Sequence, residues 1–253
     1  MCLILIAHQL TEQMPLLVLA NRDEFYARPT AAAAHWQETP GMIAGRDLVS
    51  EGTWFGACND RWATVTNIRE GVRDKDDHSS KSRGWLVRDY LLGNLSPTDF
   101  FASITATDDF AGFNLLLGDR QELWYASSND LNARLLPPGI YGLSNHLLDT
   151  PWPKVVRGKE GLSKLLNRSC FDHEAAFTLL ADITRATDAE LPDTGVPLAW
   201  EQALSSIFVT RPNYGTRCST ILTTKADGHC RLVERRFTNG PQQWDESAFS
   251  WQT

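Results

Sequence analysis

The chain has 253 residues, 42% of them hydrophobic and 22% charged, with a formal net charge of -7. That length suits one large domain or two of ~150 residues, and the composition excludes wholesale disorder. The acidic balance argues against a nucleic-acid partner, which needs a concentrated basic surface, but leaves room for a local basic pocket. No apolar run approaches the ~20 residues of a membrane-spanning helix, so no integral membrane segment is expected.

The opening run Met1-Cys2-Leu3-Ile4-Leu5-Ile6-Ala7-His8 lacks a basic leader and is too short for a secretory core, so it reads as a buried strand. Leu16 to Ala20 is a second apolar run beyond polar Gln9 to Gln13, which predicts a hairpin covered on both faces. Short strands are expected at Gly41 to Gly45, Thr53 to Cys58 and Trp62 to Thr66. Arg69 to Arg83 is nearly all polar and predicts a mobile rim beside a pocket. Trp85, Leu86, Tyr90 and Leu91 share one helical face, and Ser96 caps a second helix over Pro97 to Ile104.

Phe113 to Leu117 and Glu122 to Ala126 form the next hairpin, with Gly139 to Leu143 as a following strand. Pro151 to Leu166 and His173 to Ile183 read as helices. Thr216 to Thr224 and Cys230 to Phe237 make a late hairpin about Ala226-Asp227-Gly228. Strands, then helices, then strands again predict an α+β or layered αββα fold. No repeat or linker divides the chain, so residues 1–253 are expected to form a single domain. Dinucleotide and nucleoside-triphosphate chemistry are disfavoured by the absence of G-x-G-x-x-G and of a phosphate-binding loop.

The five cysteines are odd in number, scattered and without a C-x-x-C pair. Neither a disulfide framework nor a zinc module follows, and a reducing, cytoplasmic setting is expected. Cys2 carries the most chemistry. Once the initiator Met is removed, its thiol lies beside a free α-amine of reference pKa near ~8, able to act as the residue's own base. The plainer alternative is a small buried hydrophobe on a first strand, and the other four cysteines are expected to be structural thiols.

Asn21-Arg22-Asp23-Glu24 ends the second apolar strand, whose antiparallel pairing should bring it near Cys2. Asn21 and Asp23 would face one side and Arg22 and Glu24 the other, so only one pair can face the thiol. Asp23 can hold an α-ammonium and Arg22 can favour a thiolate; a surface ion-pair turn is the alternative. Asn145, where a strand gives way to a loop, is a candidate oxyanion donor or a routine turn former. Arg217 starts a late strand as a carboxylate binder or an exposed edge charge.

These residues together resemble the NRDE-motif family, also called transport and Golgi organisation 2-like proteins. The resemblance runs through Met1-Cys2, Ala20-Asn21-Arg22-Asp23-Glu24-Phe25-Tyr26-Ala27-Arg28-Pro29, Gly52-Thr53-Trp54-Phe55-Gly56 and Thr66-Asn67-Ile68-Arg69. It continues in Ser82-Arg83-Gly84, Gly112-Phe113-Asn114-Leu115-Leu116, Gly142-Leu143-Ser144-Asn145, Pro151-Trp152-Pro153-Lys154 and Gly215-Thr216-Arg217. It implies an N-terminal nucleophile hydrolase fold, a four-layer αββα sandwich near the cysteine acylases of penicillin V and conjugated bile acids. It also implies Cys2 as nucleophile, Asp23 as its amine partner and Asn145 as oxyanion donor. Those acylases carry an arginine before an Asn-x-Asp pattern where this chain has Ala20, a departure that would turn Arg22 away from the thiol.

Two classes of function follow. One is cofactor-free hydrolysis of a linear amide through a Cys2 acyl intermediate. The other is non-catalytic carriage of haem or of a lipid or acyl-CoA-like ligand, which the family's links to haem trafficking and lipid homeostasis imply. Among six histidines, His146 is the candidate axial ligand because it directly follows Asn145. The chain has no C-x-x-C-H for covalent haem attachment. Either way the partner is a small apolar or amide ligand.

Overall fold

The computed structural model describes residues 2–69, 81–104, 110–168, 170–238 and 240–253. The first hairpin forms as expected: β1 (Cys2–His8) pairs antiparallel with β2 (Leu16–Phe25). The second strand does not stop at Ala20, however. It runs on through the Asn-Arg-Asp-Glu cluster, because β11 (Tyr214–Thr224) supplies ladder partners as far as Phe25.

Around this hairpin the first sheet adds β10 (Gly139–Leu143), β12 (His229–Phe237) and β13 (Trp244–Gln252), in the order β10-β1-β2-β11-β12-β13. Gly228, at φ +86°, makes the turn between β11 and β12, a conformation that costs glycine little. The second sheet runs in sequence order through β3 (Thr30–His35), β4 (Met42–Asp47), β5 (Phe55–Cys58), β6 (Arg61–Asn67), β7 (Phe113–Gly118), β8 (Leu123–Ser127) and β9 (Asp130–Leu135).

The strand period decides the layers. Ile4, Ile6, Val18 and Ala20 pack between the sheets against Ile43, Phe55, Trp62 and Leu116. Their alternates Leu3, Leu5, Leu17 and Leu19 pack outward against α3 (Pro153–Leu166) and α4 (His173–Leu180). On the far side, Met42, Ala44, Val65 and Leu115 meet α1 (Gly84–Leu92) and α2 (Pro97–Ser103). Apolar residues on both faces of each sheet require a cover on both, and the result is a four-layer αββα sandwich. Gly158 lets α3 lie close on β1, since a Cβ there would come within 2.8 Å of the Leu5 side chain.

Ser96 caps α2 as expected, accepting from the Asp99 backbone N–H at 3.1 Å. β3, β9, β13 and α5 (Leu198–Leu204) were not foreseen. Of the expected Arg69 to Arg83 rim, residues 70–80 lie outside the described residues. All five cysteines are free. Cys58, Cys218 and Cys230 are buried, as structural thiols should be, but Cys170 is exposed. Among the described residues no helix is long and apolar enough to cross a membrane.

Candidate active site

Cys2 begins β1 and lies directly opposite Arg22 on β2, which in turn lies opposite Cys218 on β11. Residues opposite one another in a ladder share a face, so Cys2, Arg22 and Glu24 belong to the side between the sheets. The expectation that Arg22 turns away from the thiol is therefore corrected. Two residues along a strand return to the same face, so Arg22 stands on the same side as Ala20. Asn21 faces the helices instead, donating from Nδ2 to the Leu180 and Ile207 carbonyls at 2.8 and 3.0 Å.

Asp23 follows one strand position beyond the Cys2–Arg22 pair, toward the Cys2 backbone nitrogen. It is 1% exposed. Its Oδ1 accepts from Thr216 Oγ1 at 2.6 Å, and its backbone carbonyl accepts from the Tyr214 hydroxyl at 3.1 Å. Burial pushes the Asp23 carboxyl above its ordinary pKa, against the opposing charge of Lys154. The Cys2 thiol is also pushed up, first by burial and further by the Asp23 charge, while Arg22 and a hydrogen bond from the Asp23 backbone pull it down. Arg22 thus favours the thiolate, as its charge should, but burial outweighs it.

Asn145 continues the chain two residues past Leu143, which pairs with Ile4. It is fully buried. Its Oδ1 accepts from the Cys2 backbone N–H at 3.3 Å, and its Nδ2 donates to the Asn67 carbonyl at 2.8 Å. One amide N–H is therefore committed to the Asn67 carbonyl. Ser144 Oγ donates to the Cys2 carbonyl at 3.0 Å, and Thr66 Oγ1 donates to the Ser144 carbonyl at 2.7 Å. Asn114, on β7, donates to Thr66 Oγ1 and to the His146 carbonyl. These bonds tie the Ser144-Asn145 corner to both sheets.

Cys2, Arg22 and Asp23 line a 160 Å³ cavity together with Glu24, Arg28, Asp47, Thr53, Trp54, Val65, Asn67 and Arg83. Asn145, Arg217 and His146 are not among its lining residues. Arg217 sits in a bulge of β11, between Thr216, opposite Asp23, and Cys218, opposite Arg22. Its Nη1 donates to the carbonyls of Phe25, Tyr26 and Arg28 at 2.9, 3.2 and 3.0 Å, so it clamps a loop where a carboxylate contact was expected. His146 is exposed, with Nδ1 2.9 Å from Thr150 Oγ1, and the expectation that it stands near the pocket is not met.

Sequence reasoning missed a charged group behind the site. Lys154 enters α3 in its first turn and is 1% exposed, with no hydrogen-bond partner for Nζ among the described residues. Burial lowers its pKa, opposed by the nearby Asp23 charge. Arg69 and Glu201 form an ion pair of 2.7 Å with side chains 6% and 5% exposed. The Arg69 guanidinium also lies 4.9 Å from the Trp152 ring centroid. Lysine and tryptophan in Pro151-Trp152-Pro153-Lys154 were a visible signal, since a charge inside an apolar first turn has few reasons to be there.

At the cavity mouth, Asp47 accepts from Arg28 Nε at 2.6 Å and from the Val49 and Ser50 backbone N–H groups at 3.0 and 3.1 Å. Burial works to raise its pKa, yet these bonds hold the carboxyl below its ordinary value. The folded chain therefore gains stability above the unfolded pKa of ~3.9 and loses it as pH falls through the lower folded value. Asp47→Asn is expected to cost ~1–3 kcal/mol at pH 7 and less at pH 3, read as urea midpoints at both. An equal cost at both would contradict the assignment.

The sequence matches the family model described as Transport and Golgi organisation 2 over residues 1–239. It is 29% identical to the bovine Transport and Golgi organization protein 2 homolog, covering 91% of this chain and 90% of that one. The human homolog is 29% identical over 94% and 90%, and the Drosophila melanogaster protein 23% identical over 88% and 86%. Among solved structures, the Caenorhabditis elegans N-acylethanolamine-hydrolyzing acid amidase ortholog superposes with a TM-score of 0.50 at 13% identity, over 87% of this chain and 92% of that one. The layered sandwich is thus an N-terminal nucleophile hydrolase fold shared with that amidase ortholog, and the chain belongs to the Transport and Golgi organisation 2 family.

Proposed function

We propose that the protein is a cytoplasmic amidase that cleaves a linear C–N bond through a Cys2 acyl intermediate. One observation carries this reading. The Cys2 backbone nitrogen lies 3.3 Å from Asn145 Oδ1, with Asp23 one strand position beyond and a cavity at the thiol. Removal of Met1 would turn that nitrogen into an α-amine with a base's pKa. The nematode neighbour is named for hydrolysing an amide, a reaction of the same class.

In this scheme the neutral α-amine takes the thiol proton as sulfur bonds to the substrate carbonyl carbon, moving the π electrons onto oxygen. Asp23 steadies the ammonium, and the second Asn145 Nδ2–H meets the oxyanion, a contact worth ~3 kcal/mol. Collapse breaks the C–N bond, and the leaving amine takes the ammonium proton. Water, deprotonated by the same amine, then cleaves the thioester and releases a carboxylic acid. A thiol raised by burial fits a nucleophile that is deprotonated by its own base at the moment of attack. No cofactor enters the scheme.

Haem carriage draws less support. His146, the candidate axial ligand, is exposed and engaged with Thr150. The amidase reading is tested on protein from its native host, by intact mass and by incubation with a panel of acyl-amides. Loss of Met1 and an acyl adduct on the Cys2 peptide are expected; a retained Met1 rules the mechanism out.

A further inference from the structure

Arg22 holds a group in the cavity whose hydrogen-bonding capacity points to a particular ligand. Its side chain is 6% exposed, and its guanidinium carbon lies 4.2 Å from the Trp54 ring centroid. Nη2 makes only long contacts, 3.5 Å to Asp47 and 3.7 Å to Glu24. Nη1 is buried with no hydrogen-bond partner among the described residues. Arg28, by contrast, spends its guanidinium on Asp47 and Ser50 at 2.6 and 2.8 Å.

A buried charged donor left unmade is costly, and nearly all such groups in folded proteins find an acceptor. The stack on Trp54 and the two distant carboxylates fix the guanidinium plane, so little freedom is lost when an acceptor arrives. Arg22 also stands opposite Cys2 on the same face of the sheet, and both residues line the cavity. Trp54 and Val65 give the same cavity an apolar wall suited to a few methylene groups.

We propose that the Cys2 cavity selects a short acyl group ending in a carboxylate, which the Arg22 guanidinium binds. This rests on the cavity being the substrate site of the amidase proposed above. The substrate class is then a half-amide of a small dicarboxylic acid, in which a chain of about the glutaryl length joins the scissile amide to the carboxylate. Hydrolysis would release the dicarboxylic acid and an amine.

The test uses two alkylating agents of one shape, iodoacetate and iodoacetamide, with the rate at each cysteine read by peptide mass spectrometry. Both consume the thiolate, so the ratio of their rates cancels any change in Cys2 ionisation and reports only the preference for a carboxylate. Exposed Cys170 supplies the ordinary ratio within the same molecule. The ratio at Cys2 is expected to exceed that at Cys170 by about tenfold or more, the scale of one charge-assisted hydrogen bond.

Arg22→Gln should bring the Cys2 ratio down to the Cys170 value, while Arg22→Lys keeps part of the preference. Glutarate should also slow alkylation of wild-type Cys2 by iodoacetamide where pentanamide does not, a measurement that needs no variant to fold. Equal ratios at Cys2 and Cys170, or equal protection by glutarate and pentanamide, would overturn the proposal. A strong carboxylate preference without turnover of any acyl-amide would instead keep the anion site and remove the amidase.

Discussion

Cys2→Ser is expected to lower amide turnover by ~10³-fold or more and to leave the melting temperature almost unchanged. Serine keeps the side-chain shape at the start of β1, so the ladder to Arg22 and the bonds to Ser144 and Asn145 survive. Ionisation is what changes. The thiol is already held above its ordinary pKa by burial, and a hydroxyl in the same place is far harder to deprotonate. The stability change should lie within ~1 kcal/mol, since a half-buried group is replaced by a near isostere. Progress curves on whichever amide the wild type cleaves, with a thermal melt of each protein, decide the matter. Undiminished turnover in the variant would move the chemistry away from Cys2.

Glu201→Gln is expected to cost ~3–5 kcal/mol, because it takes the negative charge out of a buried ion pair with Arg69. At ~2–4 °C per kcal/mol for a chain of this size, the melting temperature should fall by roughly 10 °C. Glu201 also accepts from the Thr194 backbone N–H at 3.1 Å, and Arg69 donates from its own backbone to the Asn145 carbonyl at 2.8 Å. The damage should therefore reach the Asn145 corner. Lys154 makes the effect depend on pH, since the Glu201 charge is one of those that keep it protonated. Its folded pKa lies below the unfolded ~10.4, so between the two values the unfolded chain binds more protons. Stability in the variant should thus rise with pH across that window, more steeply than in the wild type. Lys154→Met in the Glu201→Gln background should recover part of the loss by removing the second buried cation. A melting temperature unmoved by Glu201→Gln would show that the pair contributes nothing.

Much of the sandwich was legible before any tertiary contact was known. β1 and the first half of β2 are continuous apolar runs, and the sheet they form is covered on both faces as such runs require. The helix from Gly84 and the cap at Ser96 follow from periodicity and from one side chain accepting one backbone N–H. β3 was not legible, because Thr30 to His35 is mostly alanine and carries no strand propensity. It is a strand because β4 pairs with it and because Glu234, on β12, accepts from the Ala33 backbone N–H at 2.7 Å. β13 alternates weakly and sits at a sheet edge, where the β12 ladder and the packing of Phe249 and Trp251 on the core specify it.

The same division runs through the site. The local order of residues determined the kinds of group available: a second-position cysteine, an Asn-Arg-Asp-Glu run in the neighbouring strand, and an asparagine where a strand ends. Those choices depend on chemistry carried within a few residues, and they can be read without a fold. Tertiary structure decided which groups meet. Antiparallel register set Arg22 opposite Cys2 and put it on the thiol's face, a choice that strand alternation alone left open. A bulge in β11 sent Arg217 to three carbonyls. The packing of α3 over β1 buried Lys154. Register, bulge and helix placement each come from contacts between segments far apart in the chain, and burial is a property of those contacts. A residue's charge is written in the sequence; the water it loses is settled only when the layers close.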